Sequence, residues 1–175
     1  IDTDTFISDY EELKIFATLV NGGESFSGKN VYLTEDIEMG DSDWTPIGNE
    51  NYAFKGTFDG KYDEIEHTIF KLKVNTDLPA GLFGWLNGTV KNLTVDGAEI
   101  TGVSCVGTIA GKIHNTGLIE KVTVTNANVY GNHYVGGIAG YAYGKFVGCA
   151  ISDSEIKAEP RMTNNGYDDG DKVGG

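Results

Sequence analysis

Positively charged side chains are scarce in this sequence. Its 175 residues include 13 Lys and Arg against 26 Asp and Glu, the formal net charge is −13, and Arg161 is the single arginine. Nucleic-acid phosphates bind to basic protein faces, so we expect no nucleic-acid partner.

Long apolar runs are also absent from the sequence. No stretch approaches the roughly 20 apolar residues of a membrane-spanning helix, and no signal peptide opens the chain. We therefore expect no membrane insertion within this segment, and we expect any export signal or anchor to lie outside it. At 39% hydrophobic residues the composition is typical of a folded domain.

What the sequence does have is an internal repeat. Three segments, VKNLTVDGAEI, IEKVTVTNANV and FVGCAISDSEI, place apolar side chains at the same first, fourth, sixth and last positions; they are residues 90–100, 119–129 and 146–156. Each segment follows a related hexapeptide, PAGLFG, VGTIAG or VGGIAG. Self-similarity at this period is typical of a solenoid, whose units stack because none can bury its apolar face alone.

The repeats favour coils of β-strand over pairs of helices. The segments are too short, too β-branched and too rich in glycine for helical repeats. Alternation at period two predicts inward ladders such as Leu93, Val122 and Cys149. The 25 glycines are expected at the corners of the coils and where neighbouring coils approach closely.

An earlier unit extends the repeat toward the N-terminus. Its apolar residues Ile69, Leu72 and Val74 copy the spacing of residues 90, 93 and 95, and the GTFDG run at 56–60 matches GTIAG at 107–111. The sequence therefore predicts at least four coils.

The motifs resemble a known family. The run FKGTFDG at 54–60, the later GLFG and VGGIAG, and the preceding SFSGKNVYLTEDIEM and WTPIG resemble the glycine-rich GLUG-type repeats of bacterial surface proteins. Such repeats are also found in non-catalytic parts of immunoglobulin-A-cleaving proteases. The resemblance implies an all-β, right-handed parallel β-helix on a secreted or cell-surface bacterial protein, and it brings no catalytic residues.

The N-terminus predicts one short amphipathic helix. Ser8 and Glu11 have the capping-box spacing, and Gly22-Gly23 supplies a stop. The apolar face between them consists of Leu13, Phe16, Ala17 and Val20. We expect residues 1–25 to cap the first coil and residues 26–175 to form the β-helix, whose C-terminal end falls within a further repeat.

The only two cysteines lie in different parts of the repeat. Cys149 occupies the inward position held by Val122, whereas Cys105 precedes a glycine motif, where it aligns with Tyr134. A disulfide needs Cα atoms within about 7 Å. We therefore expect two free thiols that act as small hydrophobic side chains.

Aromatic side chains recur in the turn that follows the glycine motif. Trp85 stands in one coil, His114 in the next, and Tyr141 with Tyr143 in the third. Stacked coils would align these four side chains along one edge, where they are candidate contacts for a sugar ring or a protein. The alternative is that they cover the core at a corner.

A long insertion follows the last repeat. The acidic loop 157–171 contains Asp168, Asp169 and Asp171, whose hard oxygens are candidate calcium ligands, although their spacing is not that of an EF-hand. The alternative is a solvated acidic loop. No other cofactor is indicated.

Together these features predict a non-catalytic scaffold or adhesin-like module that binds a host or matrix protein or a polysaccharide. The alternative is a glycan-binding or glycan-degrading β-helix module. Glycan cleavage would use acidic pairs such as Asp59 with Glu64 or Glu66, or Asp96 with Glu99. Nothing in the sequence places two carboxyls across a sugar, so we expect no enzymatic activity.

Overall fold

The structure is a computed structural model that describes residues 4–159, 162–163, 166–167 and 173–174. Its one helix in the described part, α1, spans Tyr10–Asn21. The strands in chain order are β1 (Asp4–Ile7), β2 (Asn30–Leu33), β3 (Ile37–Glu38), β4 (Thr57–Asp59), β5 (Lys61–Tyr62), β6 (Ile65–Phe70), β7 (Lys73–Thr76), β8 (Phe83–Leu86), β9 (Thr89–Asp96), β10 (Glu99–Gly102), β11 (Ser104–Val106), β12 (Ala110–Ile113), β13 (Leu118–Thr125), β14 (Asn128–Gly131), β15 (His133–Gly136), β16 (Ala139–Ala142), β17 (Lys145–Val147), β18 (Ala150–Ser152), β19 (Glu155–Ala158), β20 (Met162–Thr163), β21 (Gly166–Tyr167) and β22 (Val173–Gly174).

The strands stack into a parallel β-solenoid. One face runs in the order β1, β2, β4, β9, β13, β17, and three smaller sheets follow the orders β7-β10-β14-β19, β8-β12-β16 and β11-β15-β22. Neighbouring strands of these sheets are parallel, and the two short pairs β5–β6 and β20–β21 are antiparallel. The prediction of an all-β parallel β-helix with one short N-terminal helix is confirmed.

Inward ladders form the core, as the repeat predicts. Val122 pairs in register with Leu93, and Ile119 pairs with Val90 on one side and Phe146 on the other. The side chains of residues 90, 93, 119 and 122 are fully buried. Each buried Val, Leu or Ile contributes on the order of 1.5–3 kcal/mol before the entropy of folding is subtracted.

The predicted register of the earlier unit is wrong. Ile69 pairs with Val95 and Val74 pairs with Ile100, whereas the sequence alignment matched them to residues 90 and 95. The 56–60 run stacks on residues 88–92 rather than on 107–111. The apolar spacing i, i+3, i+5 occurs twice along one coil, once on each side of a corner, so spacing alone does not distinguish the two alignments.

Some corners of the coils use glycine, such as the one before β4, β9, β13 and β17 where Gly56, Gly88, Gly117 and Gly144 stack, and others do not. Equivalent residues at one corner, Asn92, Lys121 and Gly148, all have positive φ, and two of them are not glycine. Cys105 and Tyr134 share another such corner. The predicted use of glycine for close approach holds at Gly60, for example, where a Cβ would collide with the backbone of the neighbouring coil.

Helix α1 covers the core at the N-terminal end of the solenoid. Its four predicted apolar residues are all buried, and the Phe16 ring packs edge-on against Phe26 and Phe54 at centroid distances of 4.9 and 5.5 Å. Gly22 is the C-cap of the helix: its N–H donates to the Thr18 carbonyl at 2.9 Å, and the N–H of Gly23 donates to the Val20 carbonyl at 3.0 Å. Before the helix, β1 lies within residues 1–25 and pairs with β2.

The predicted N-terminal cap is wrong by one residue. Asp9 rather than Ser8 is the N-cap, and its Oδ1 accepts from the N–H of Glu12 at 2.9 Å. The Glu12 carboxylate in turn accepts from the N–H and hydroxyl of Ser8 at 2.7 and 2.9 Å. Ser8 and Asp9 are both good caps followed by a glutamate three residues later, so the sequence supports either frame.

Both cysteines are free thiols in the structure. Cys105 is buried, and Cys149 is partly buried and packs against the core. Of the described residues, none belongs to a helix with the length and apolar character that a bilayer crossing requires.

Candidate functional site

Parallel stacking brings Trp85 and Tyr141 onto one surface ladder. Trp85 lies in β8, and Lys112 of β12 pairs with it in register. Tyr141 of β16 pairs with Lys112 on the other side. Neighbouring strands lie about 4.8 Å apart, so the two aromatic residues stand about 10 Å apart, with the lysine between them. We call these three residues the Trp85 ladder.

The side chains of this ladder contact one another. Lys112 Nζ lies 4.4 Å from the centroid of the Trp85 ring and 5.8 Å from that of Tyr141, both within cation–π range. The His114 ring packs on Trp85 at a centroid distance of 5.2 Å. Trp85 and His114 are half-buried. The next coil therefore supports Trp85 while leaving part of its ring exposed.

The far end of the ladder is a group of tyrosines. Tyr141 packs edge-on against Tyr134 at 4.9 Å and against Tyr143 at 5.0 Å, and the hydroxyls of Tyr141 and Tyr143 share a hydrogen bond of 2.6 Å. This hydrogen bond raises the pKa of Tyr141 above its ordinary value. Tyr143 is 68% exposed. Tyr141 therefore keeps its proton at neutral pH, and Tyr143 presents a ring to solvent.

A groove of about 460 Å³ opens beside Trp85, within the size range of small-molecule sites. Leu78, which is 67% exposed, and two prolines give the groove an apolar lining, whereas a neighbouring loop supplies polar side chains. The lining residues are Asn21, Thr45, Pro46, Gly48, Asn49, Glu50, Asn51, Leu78, Pro79 and Trp85.

Two asparagines hold the loop of this groove in place. Asn21, the last residue of α1, donates to the Pro46 carbonyl at 3.1 Å and accepts from the Gly48 N–H at 2.8 Å. Asn49 Oδ1 accepts from the N–H groups of residues 51 and 52. These amides are occupied by structural hydrogen bonds, so the side chains of Thr45, Glu50 and Asn51, all exposed, are the polar groups the loop offers to a ligand.

Gly48 fixes how closely this loop approaches the Trp85 strand. Its φ is +84°, and a Cβ at this position would lie 2.5 Å from the Trp85 carbonyl oxygen. Any residue with a side chain would therefore meet both an unfavourable backbone conformation and a collision with backbone.

A second groove of about 460 Å³ runs beside α1 and shares Asn21 and Thr45 with the Trp85 groove. Tyr10 lies at its other end, with Lys14 Nζ 4.7 Å from the ring centroid. The two grooves and the Trp85 ladder thus form a long surface that extends from the capping helix across several coils.

The sequence named four residues for this edge, and the structure brings all four into two contacting groups. Trp85 contacts His114, and Tyr141 contacts Tyr143. Sequence reasoning missed Lys112. Lys112 directly follows the hexapeptide VGTIAG, just as Trp85 follows PAGLFG and Tyr141 follows VGGIAG. Sequence reasoning also missed the groove, because the loop at 45–51 lies outside the repeat.

Two of the carboxylates considered for glycan cleavage, Asp59 and Asp96, are engaged by neighbouring groups. Asp59 is 7% exposed, accepts from the N–H of Lys61 and the amide of Asn92, and lies 3.4 Å from Lys91 Nζ. Asp96 accepts from the Thr125 hydroxyl at 2.6 Å and the Asn126 amide at 2.7 Å, and these hydrogen bonds lower its pKa.

The calcium prediction is untested. Asp168, Asp169 and Asp171 lie outside the residues that the structure describes. Within the described part of the chain, no group of three or more His, Cys, Asp or Glu side chains is placed to hold a metal ion.

No protein-family model matches this chain, so the resemblance to GLUG-type repeats stays a prediction. The chain is 43% identical over 77 residues to halomucin of Haloquadratum walsbyi (strain DSM 16790 / HBSQ001). That match covers 41% of this chain and 1% of halomucin, so the chain spans a very small part of that protein.

Among solved structures, the chain is similar to a Bacteroides ovatus protein proposed to be an immunoglobulin A1 protease. The TM-score is 0.51 at 16% sequence identity, and the match covers 97% of this chain and 83% of the other. At this identity the similarity shows the fold alone, and it supports the parallel β-helix.

Proposed function

We propose that this chain is a non-catalytic module of a secreted or cell-surface protein, and that it binds a host or matrix polysaccharide along the Trp85 groove. The observation that carries the proposal is the half-buried Trp85 ring, which lines a groove of about 460 Å³ and heads a ladder with Lys112 and Tyr141.

The chemistry of the groove suits a sugar. Trp85, Leu78 and Pro79 offer an apolar surface on which the face of a sugar ring can pack. Glu50 and Asn51 offer hydrogen-bond partners for hydroxyl groups at the rim. A pocket that is mostly apolar with a few polar groups is the usual composition of a small-molecule site.

The length of the surface favours a polymer over a single sugar. The helix-side groove continues from the Trp85 groove through Asn21 and Thr45, and the ladder continues on the other side to the Tyr141–Tyr143 pair. Lys112 would add a positive charge near the middle of this surface, in a chain with a net charge of −13. A host or matrix protein remains an outcome of the experiment below.

The extracellular setting rests on the two similar proteins. One is halomucin and the other is a protein proposed to be an immunoglobulin A1 protease, and these names support a surface or secreted module. The match to halomucin covers a small part of that protein, and the match to the solved structure shows the fold alone. The extracellular setting is therefore part of the proposal.

Binding without cleavage is supported by the carboxylates. Glycoside hydrolysis uses two carboxyl groups that face one another across a sugar. Glu50 is the single carboxylate among the residues that line the Trp85 groove. Asp59 and Asp96 are engaged in hydrogen bonds, so we favour binding over the glycan-degrading alternative.

The experiment is a binding screen against arrayed glycans and matrix proteins, with and without calcium. It compares the wild-type chain with Trp85→Leu and with Tyr130→Leu, which changes an exposed tyrosine on a different sheet. We expect binding to a glycan that Trp85→Leu weakens by about tenfold or more and Tyr130→Leu leaves unchanged. Binding to matrix proteins alone, or to nothing, would contradict the proposal.

A further inference from the structure

A second aromatic surface lies near the N-terminal end of the solenoid. Phe6 of β1 and Tyr32 of β2 are paired in register and stack with a centroid distance of 5.8 Å and an interplanar angle of 19°. Tyr62 of β5 packs edge-on against Phe6 at 5.3 Å and lies 5.8 Å from Tyr32. We call these three residues the Phe6 cluster.

The Phe6 cluster is not part of the core. Its two strand residues alternate with inward neighbours: Ile7 and Leu33 are fully buried, whereas Phe6 is 43% exposed. Strand alternation thus directs the rings of Phe6 and Tyr32 outward. A large exposed aromatic group on a soluble protein face is a common mark of an interaction site.

The short hairpin β5–β6 brings both Tyr62 and negative charge to this surface. Its turn consists of Asp63 and Glu64, which both have positive φ, as a tight hairpin turn requires. The turn projects the two carboxylates beside the rings. They line, together with the Phe6 cluster, a groove of about 430 Å³.

The charge of this groove is one-sided. Its lining contains four carboxylates, those of Asp4, Asp59, Asp63 and Glu64, against one lysine, Lys61. Lys61 Nζ lies 2.9 Å from the Glu64 carboxylate, and Lys91 pairs with Asp59. Among the described residues, no hydrogen bond or ion pair engages the Asp63 side chain. The Asp63 carboxylate is therefore left without a neighbouring counter-charge beside three aromatic rings.

From this juxtaposition we propose that the Phe6 cluster and its acidic turn form a docking surface for an arginine side chain of a partner protein. A guanidinium group is planar, stacks on aromatic faces and is less strongly hydrated than an ammonium group. Its N–H groups donate to carboxylates in charge-assisted hydrogen bonds. Rings edged by carboxylates satisfy both requirements at one place.

The proposal is independent of the Trp85 groove. The Phe6 cluster stands on the sheet of β1 and β2, whereas Trp85 stands on the sheet of β8, and the two grooves share no lining residue. Loss of either binding activity therefore leaves the other testable.

The test is a titration of the folded chain with three short glycine-rich peptides that carry three arginines, three lysines or three glutamates. A chain of net charge −13 attracts any cation weakly, so the preference for arginine over lysine at physiological salt is the informative quantity. We expect the arginine peptide to bind most tightly and the glutamate peptide not to bind.

Matched variants locate the binding. Asp63→Asn should weaken arginine binding by about threefold, whereas Asp153→Asn should not, although both residues lie at exposed positions with similar positive φ, 47° and 49°. Tyr62→Leu should lower the affinity for the arginine peptide by about fivefold and abolish its preference over the lysine peptide. If Tyr62→Leu disturbs the β5–β6 hairpin, Phe6→Leu, which lies outside the hairpin, should give the same result.

Several outcomes would overturn the proposal. They are equal affinity for the arginine and lysine peptides, equal loss in the Asp63 and Asp153 variants, and no effect of either ring substitution. Absence of binding to the arginine peptide would overturn it as well.

Discussion

A charge placed inward should destabilise the chain far more than a charge placed outward on the same strand. Val122 and Thr123 are neighbours in β13. The Val122 side chain is fully buried between coils, beside Leu93, whereas Thr123 is partly exposed and pairs with Thr94 and Ala150. We expect Val122→Asp to unfold or severely destabilise the chain and Thr123→Asp to be tolerated.

The magnitude follows from two contributions to the free energy of unfolding. Removing a fully buried valine costs about 1.5–3 kcal/mol. Keeping the new aspartate neutral at pH 7, about three units above its ordinary pKa of about 3.9, costs roughly 4 kcal/mol more. The sum is comparable to the whole stability of a typical domain, about 5–15 kcal/mol. Thr123→Asp should cost about 1 kcal/mol or less, the range of strand propensity.

The assay is thermal and denaturant unfolding followed by circular dichroism, at pH 7 and at pH 4. Burial raises the pKa of an aspartate at position 122 in the folded state, so its destabilising effect grows as pH rises above about 3.9. The deficit of Val122→Asp relative to wild type should therefore shrink at pH 4. Equal melting temperatures for the two variants at pH 7 would refute the inward and outward assignment.

Two further predictions concern a loop and a surface carboxylate. Gly48→Ala should destabilise the chain by more than Gly28→Ala, because both sites have positive φ but only Gly48 would place a Cβ against backbone; equal losses in denaturant unfolding would contradict this. Asp96 should titrate by NMR below about pH 3.9, since hydrogen bonds from Thr125 and its neighbour lower its pKa, and Thr125→Val should raise the midpoint. Any stability that depends on the Asp96 carboxylate is present above its unfolded pKa and is lost as pH falls through the lower folded value, so an unshifted midpoint would argue against these hydrogen bonds.

The sequence predicted the fold correctly where a residue pattern has a single structural explanation. The apolar positions of the repeat predicted the ladder of Leu93 and Val122, because only an inward position in stacked coils needs an apolar side chain in every unit. It was ambiguous where a pattern has two solutions. Ser8 and Asp9 offered two capping frames, and the spacing of Ile69 fitted two registers.

Surface sites were only partly predictable for a different reason. The repeat aligned Trp85 with Tyr141, but the lysine between them carries no aromatic signal and was overlooked. Phe6 and Tyr32 meet only because β1 and β2 pair across an intervening helix, at a sequence separation that no local pattern encodes. The position of a side chain in an irregular loop, such as that of Asn51, is set by tertiary structure and has no repeat pattern that could predict it.

The central claim, that Trp85 contacts a polysaccharide, is tested most directly by its fluorescence. The only other tryptophan, Trp44, is buried and donates its Nε1–H to the Leu82 carbonyl at 3.1 Å, but it also lines the helix-side groove, so the variant Trp85→Phe is needed to separate its emission from that of Trp85. The wild-type chain and Trp85→Phe would each be titrated with acidic, neutral and basic polysaccharides. We predict a saturable emission shift with at least one polysaccharide in the wild type and a clearly smaller shift in Trp85→Phe. No shift with any polysaccharide, or the same shift in both proteins, would contradict the account.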